Sequence, residues 1–106
     1  MSNRDDNFLR ENNARHQLHP MIHPLISAEH PPQIIVKGRG YHVTDIDGKT
    51  YIDGIGGLWN VNVGHNRPEV KAAITAQLDE IAYYSNFAGT TTAPSIKLSA
   101  KVIEMS

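Results

Sequence analysis

The sequence predicts an α+β chain in which a proline-rich N-terminal arm leads into a small antiparallel β-meander and then two helices. Three observations carry that reading. Between residues 33 and 53, β-branched runs alternate and are punctuated by Gly38, Gly40 and Asp47-Gly48, the signature of short strands joined by tight turns. Val70, Ile74, Leu78 and Ile81 recur at spacings of four, four and three, which is one stripe of an amphipathic helix. Before residue 33, by contrast, the large apolar side chains are scattered among four His and four Pro with no regular period.

Taken in order, residues 3–17 (NRDDNFLRENNARHQ) suit a short helix with Phe8 and Leu9 as its only large anchors. Residues 18–32 are broken by Pro20, Pro24, Pro31 and Pro32, each of which removes an amide donor and disfavours helix at the residue before it. An extended arm is expected there. Gln33–Lys37 reads as a strand, Tyr41–Ile46 as a second and Lys49–Asp53 as a third. Asp47-Gly48 is expected to form a two-residue type I′ turn between the last two, with positive φ at both positions. Gly54–Gly64 then forms a glycine-rich loop around Trp59. Asn66 is expected to cap the next helix, with Pro68 in its first turn. Thr92 is placed to cap the last one, which is apolar on two sides through Ile96, Leu98, Val102 and Ile103 and so expects protein around it. Three segments follow: 1–32 as helix and arm, 33–66 as meander and loop, and 67–106 as helices.

Composition excludes several function classes. Ten Lys plus Arg against eleven Asp plus Glu give a net charge of −1, so no basic surface for nucleic acid is expected. No apolar run approaches the length of a bilayer span, and no membrane partner is expected. The polar start, Met1-Ser-Asn-Arg, is unlike a secretory signal, and with no cysteine there is no disulfide, thiolate metal site or cysteine nucleophile. A cytoplasmic protein is the expectation.

The motifs that suggest chemistry mostly dissolve into turn chemistry. Gly48-Lys49-Thr50 ends like a phosphate-binding loop, but Val43 stands where that loop needs its first glycine. In Gly54-Ile-Gly56-Gly-Leu-Trp59, the tryptophan occupies the third glycine of a dinucleotide fingerprint. Asp45-Ile-Asp47 starts like a calcium loop, yet Thr50 occupies its glycine position. His16, His19 and His23 have metal-like spacing, but Pro20 falls between them and Pro24 follows, so a shared helical face is not expected. Lys37, Lys49, Lys71, Lys97 and Lys101 sit where strands, turns and helix faces are solvated, so none reads as a desolvated Schiff-base amine. No catalytic residue is expected from these positions, leaving a wall of a pocket or a structural module.

In their order along the chain these pieces resemble the start of class III aminotransferases. The residues that carry the resemblance are His19-Pro20-Met21, Gly40-Tyr-His-Val-Thr-Asp-Ile-Asp-Gly-Lys-Thr-Tyr-Ile-Asp-Gly54 and Gly57-Leu-Trp-Asn-Val-Asn-Val-Gly64-His. Tyr84-Ser-Asn-Phe87, followed by Thr90 to Thr92 and Pro94, is similar to the ω-amino acid:pyruvate branch, with a departure of about a residue around Ala88-Gly89. The resemblance implies the start of an α/β, fold type I, pyridoxal 5′-phosphate enzyme that works as a homodimer. It also implies transfer of an amino group from an amine to a keto acid such as pyruvate. In that family the catalytic lysine, the aspartate at the pyridine nitrogen and the phosphate cradle lie further along the chain. The resemblance therefore implies an N-terminal fragment that holds no cofactor itself and is inactive alone. Leu58 and Trp59 then match the substrate-pocket wall, Phe87 an aromatic reaching in from the neighbouring subunit, and Met21 an apolar contribution of the arm. The alternative that stays open is a small non-enzymatic binding or structural module using the same local folds.

Overall fold

The computed structural model describes residues 3–106; Met1 and Ser2, where the polar start begins, lie outside the described residues. The chain forms two compact units, 1–67 and 68–106.

The first unit begins with α1 (Asn3–Arg15), whose first turn carries Asp5 and Asp6 and whose last carries Arg15, each sign opposite to the end of the helix dipole it meets. Glu11 and Arg15 pair at 2.8 Å one turn apart. The expected extended arm is interrupted by a six-residue helix, α2 (Pro24–Glu29). The prolines explain both halves of that outcome. His23 is extended (φ −64°, ψ 134°), as a residue before proline prefers, while Pro24 occupies the first turn, where its missing N–H is no loss. The His23 ring accepts the Leu25 N–H at 3.3 Å to complete the cap.

The meander follows as β1 (Ile35–Arg39), β2 (His42–Asp45) and β3 (Thr50–Ile52), antiparallel in that order. Gly38 pairs with Val43, and Val43 in turn with Tyr51; the register slips once, between Ile35 and Lys37. The β2–β3 turn differs from the expected two-residue type. Asp45 N–H donates to the Lys49 carbonyl at 2.9 Å and Gly48 N–H to the Asp45 carbonyl at 3.0 Å, enclosing the three residues 46–48. Only Gly48 (φ 81°) is left-handed, the geometry of a type I turn closed by a glycine bulge. Asp45 dictates this choice. Its carboxylate takes the N–H of Asp47 (3.0 Å) and of Lys49 (2.9 Å), and also bonds Gln33 (2.9 Å) and the Tyr51 hydroxyl (2.8 Å). That is more than a two-residue loop would let it reach. Arg10 of α1 meets Asp47 at 2.7 Å, and Asn13 donates to the Pro32 carbonyl at 2.8 Å, tying the N-terminal helix to the meander.

The second unit holds two helices, numbered α4 (Pro68–Glu80) and α5 (Ala93–Glu104) after the short α3 described below. Asn66 is not the cap of α4: it lies in the left-handed region (φ 62°), and the helix starts at Pro68. Thr92 precedes α5 with extended backbone, but its side chain makes no capping hydrogen bond. Asn86 instead reaches Ser95 in the first turn at 3.0 Å. Among the described residues no hydrophobic side chain is buried, and the α4 stripe Val70, Ile74, Leu78 is about half exposed. The buried residues are polar, Ser27 and Asp45. No helix among the described residues is long and apolar enough to cross a membrane.

Candidate functional site

Between β3 and residue 66 the glycine-rich loop folds into a left-handed turn, α3 (Gly56–Trp59). All four residues have positive φ: 56° and 57° at Gly56 and Gly57, 61° at Leu58 and 69° at Trp59. The turn closes through Trp59 N–H to the Ile55 carbonyl (2.9 Å) and Asn60 N–H to the Gly56 carbonyl (3.0 Å). For an L-residue this hand costs about 1–2 kcal/mol, because Cβ crowds the following carbonyl. Gly57 escapes that cost and fills a second need: a Cβ there would lie 2.9 Å from the Val61 side chain. Leu58 and Trp59 cannot escape it. Their strain is held by what surrounds the turn.

The anchor is a pair of residues that sequence reading passed over. Asp53 closes β3, its N–H donating to the Tyr41 carbonyl at 2.8 Å. One carboxylate oxygen, Oδ2, accepts the Gly57 N–H at 2.8 Å and His65 Nε2 at 2.7 Å. An ionised carboxylate only accepts, so Nε2 carries the proton of that bond. The His65 hydrogen bond holds the Asp53 carboxyl below its ordinary 3.8, and the Gly57 N–H adds to this against the opposing pull of burial. His65 is pinned through its backbone as well, exchanging hydrogen bonds with Gly40 at 2.7 and 3.0 Å. Its ring lies against Gly38 of β1, where a Cβ would come within 2.8 Å of Cγ. The one signal in the sequence was Asp53 standing four residues before Gly57 and twelve before His65, a spacing that means nothing until the loop folds back.

The four residues expected to line a pocket are all strongly exposed. Leu58 and Trp59 stand together on the left-handed turn. Met21 lies in the first unit, on the link between α1 and α2, and has φ 65°. Phe87 lies in the second unit, on the link between α4 and α5, directly before Ala88 at φ 56°. Among the described residues the non-glycine positions with positive φ are Met21, Leu58 and Trp59 of these four, Ala88 beside Phe87, and Asn66. Such backbone conformations are costly enough to concentrate where function holds them. His16, His19 and His23 are engaged separately, with Asn12, the Asn13 carbonyl and Leu25 N–H, and no cluster suited to a metal occurs among the described residues.

Comparison with known proteins supplies what geometry alone does not. The family model for class-III aminotransferases matches residues 26–106. The chain belongs to that family. A taurine–pyruvate aminotransferase of Bilophila wadsworthia is 49% identical over 73 residues, 68% of this chain and 16% of that protein. The structure of an amine transaminase from an uncultivated Pseudomonas species, in its pyridoxal phosphate-bound form, is 45% identical and covers 86% of this chain and 20% of its own, with a TM-score of 0.80. A thermostable ω-transaminase of Pseudomonas jessenii is 34% identical, covering 92% of this chain and 22% of its own, with a TM-score of 0.89. That variant carries tryptophan-to-methionine, phenylalanine-to-leucine and arginine-to-leucine changes engineered for asymmetric synthesis of bulky amines. The chain thus spans about a fifth or less of the length of these relatives.

Class III aminotransferases depend on pyridoxal phosphate, which needs an amine for its carbonyl and a cradle for its phosphate. The residues present do not fit that group. All five lysines are solvent-exposed; Lys101 pairs with Glu104 at 2.7 Å and Lys49 lies over the Tyr51 ring. What the chain builds is a strained, anchored turn that presents two apolar side chains.

Proposed function

We propose that the chain is the N-terminal segment of a cytoplasmic, homodimeric ω-transaminase that passes an amino group from an amine or ω-amino acid to a keto acid such as pyruvate. Its part is to shape the substrate pocket with Leu58 and Trp59, joined by Met21 and by Phe87 from the neighbouring subunit. The pyridoxal phosphate is held by other parts of the parent enzyme, so the segment is inactive alone. The left-handed turn carries this reading: it bears about 2–4 kcal/mol of strain on Leu58 and Trp59 in order to present them. The bulky-amine variant supports it, because its altered tryptophan and phenylalanine are 28 positions apart, as Trp59 and Phe87 are.

The test grafts residues 1–106 onto the rest of the Pseudomonas jessenii enzyme and compares amine donors of increasing bulk. The graft should transaminate pyruvate, and Trp59→Gly should raise the ratio of bulky to small amine turnover by roughly tenfold or more, as pocket volume does elsewhere. An active graft whose amine preference is unmoved by Trp59→Gly would refute the assignment.

A further inference from the structure

We infer that Asp53 and His65 are positioning residues: a clasp that holds the left-handed turn in place and so fixes the direction in which Leu58 and Trp59 are presented. The relevance of that direction to a substrate rests on the function proposed above; the clasp itself rests on geometry.

A left-handed turn with two L-residues in it is not self-supporting. Each of Leu58 and Trp59 gains free energy by returning to a right-handed or extended conformation. A hydrogen bond to the backbone of the turn, made by a group that cannot move, opposes that return. Asp53 Oδ2 makes it, at 2.8 Å to the Gly57 N–H. The carboxylate is fixed on both sides. Its own backbone is bonded to Tyr41, and its oxygen is shared with His65, which is tied to Gly40 by two backbone hydrogen bonds and backed by Gly38. The Asp53 and His65 side chains are only 10% and 22% exposed, so water competes weakly for the bond. The clasp thus joins the end of β3, the end of β1 and the turn through one oxygen atom. Further hydrogen bonds of the turn are local: Val61 N–H donates to the Gly56 carbonyl at 2.9 Å, Gly56 N–H to the Asp53 carbonyl at 3.3 Å, and the Asn60 side chain to the Leu58 carbonyl at 3.0 Å.

Trp59 is the sole tryptophan of the chain, so its fluorescence reports this turn and nothing else. The experiment measures time-resolved anisotropy of Trp59, together with amide exchange of Gly57 by NMR, in the full 106-residue chain and in Asp53→Ala, Asp53→Asn and His65→Ala. Asp53→Ala should add a fast, large-amplitude motion of Trp59 and speed Gly57 exchange roughly tenfold, with far-UV ellipticity unchanged. Asp53→Asn keeps an acceptor for the Gly57 N–H and should restore much of both signals. His65→Ala should loosen Trp59 by less than Asp53→Ala, since the Gly57 bond survives. A loss confined to tertiary support elsewhere would not show this order among the three variants. If Asp53→Ala also loses ellipticity, the comparison of wild type with His65→Ala and Asp53→Asn decides. Equal Trp59 mobility in wild type and the variants overturns the clasp, whatever the outcome of the graft. Conversely, a Trp59→Gly graft with unchanged amine preference removes the substrate role and leaves the clasp standing.

Discussion

Replacing Gly38 by alanine should disturb a site that is not its neighbour in sequence. Gly38 is an ordinary strand residue with no left-handed backbone, so a side chain there meets no torsional objection. The obstacle is the His65 ring: the new Cβ would stand 2.8 Å from Cγ and 2.9 Å from Cβ and Nδ1. The Cβ is fixed by the His65 backbone, which is bonded twice to Gly40, and turning the ring about Cα–Cβ would part Nε2 from Asp53, so relief on either path breaks a hydrogen bond. Overpacking of this kind costs about 1–3 kcal/mol. Alanine recovers about 0.5–1 kcal/mol over glycine in a strand. The net loss, about 0–2.5 kcal/mol with a midpoint near 1.2, corresponds at that midpoint to roughly eightfold faster exchange of the Gly40 and His65 amides in native-state hydrogen exchange. Gly54→Ala is the matched control, because a Cβ there meets nothing within 4 Å and needs no unusual φ. It should leave those amides unchanged or slow their exchange by up to about fivefold, never speed it. Equal protection of Gly40 and His65 in the two variants would refute the packing argument and, with it, the pinning of His65.

Two further outcomes follow from the carboxylates. Asp45→Ala removes the common acceptor of Gln33, Asp47, Lys49 and Tyr51, so the Asp47 and Lys49 amides should lose their protection while those of α5, in the other unit, keep theirs; equal loss in both would refute the local role. Burial pushes the Asp45 carboxyl up, but hydrogen bonds from Gln33, Tyr51, Lys49 and Asp47 outweigh it, so both Asp45 and Asp53 lie below 3.8 when folded. A depressed folded value means that this stabilisation is complete well above 3.8 and is lost as pH falls through and below it. Near-UV circular dichroism of Trp59 and Tyr51 should therefore hold steady down to that region and collapse beneath it; a loss centred well above it would refute the carboxylate assignment.

The meander, α4 and α5 were legible because they rest on local signals. Alternation marks 33–53, a four-four-three stripe marks α4, and Pro94 sits where a helix begins. Two of the errors share a cause, which is a hydrogen-bond partner that sequence order does not reveal. Asp47-Gly48 has the residues of a two-residue turn, but Asp45 gathers the N–H groups of Asp47 and Lys49 and widens the loop to three. Asn66 has the chemistry of a cap, yet the Gly40–His65 bridge directs the backbone just before it, and the helix waits for Pro68. Pro24 looked like a breaker and is a starter, because breaking and starting differ only in which side of the proline the helix lies. Leu58 and Trp59 stood out through the resemblance of their surroundings to a known family. Asp53 and His65 did not, since each is unremarkable until β3 and the loop end are brought to the same place.

The hand of the turn has a stereochemical consequence. Gly56 and Gly57 carry no chiral Cα, so half of α3 is indifferent to which way it winds, and only Leu58 and Trp59 register the sense of rotation. For a mirror-image leucine at position 58, a φ near 61° is the preferred well and the strain changes sign. The chain is short enough to assemble by chemical ligation, and a single inverted centre there would hold the turn with less help from the carboxylate beneath it. The configuration of one carbon atom would then take over part of the work of holding the turn, leaving Trp59 as its one strained L-residue.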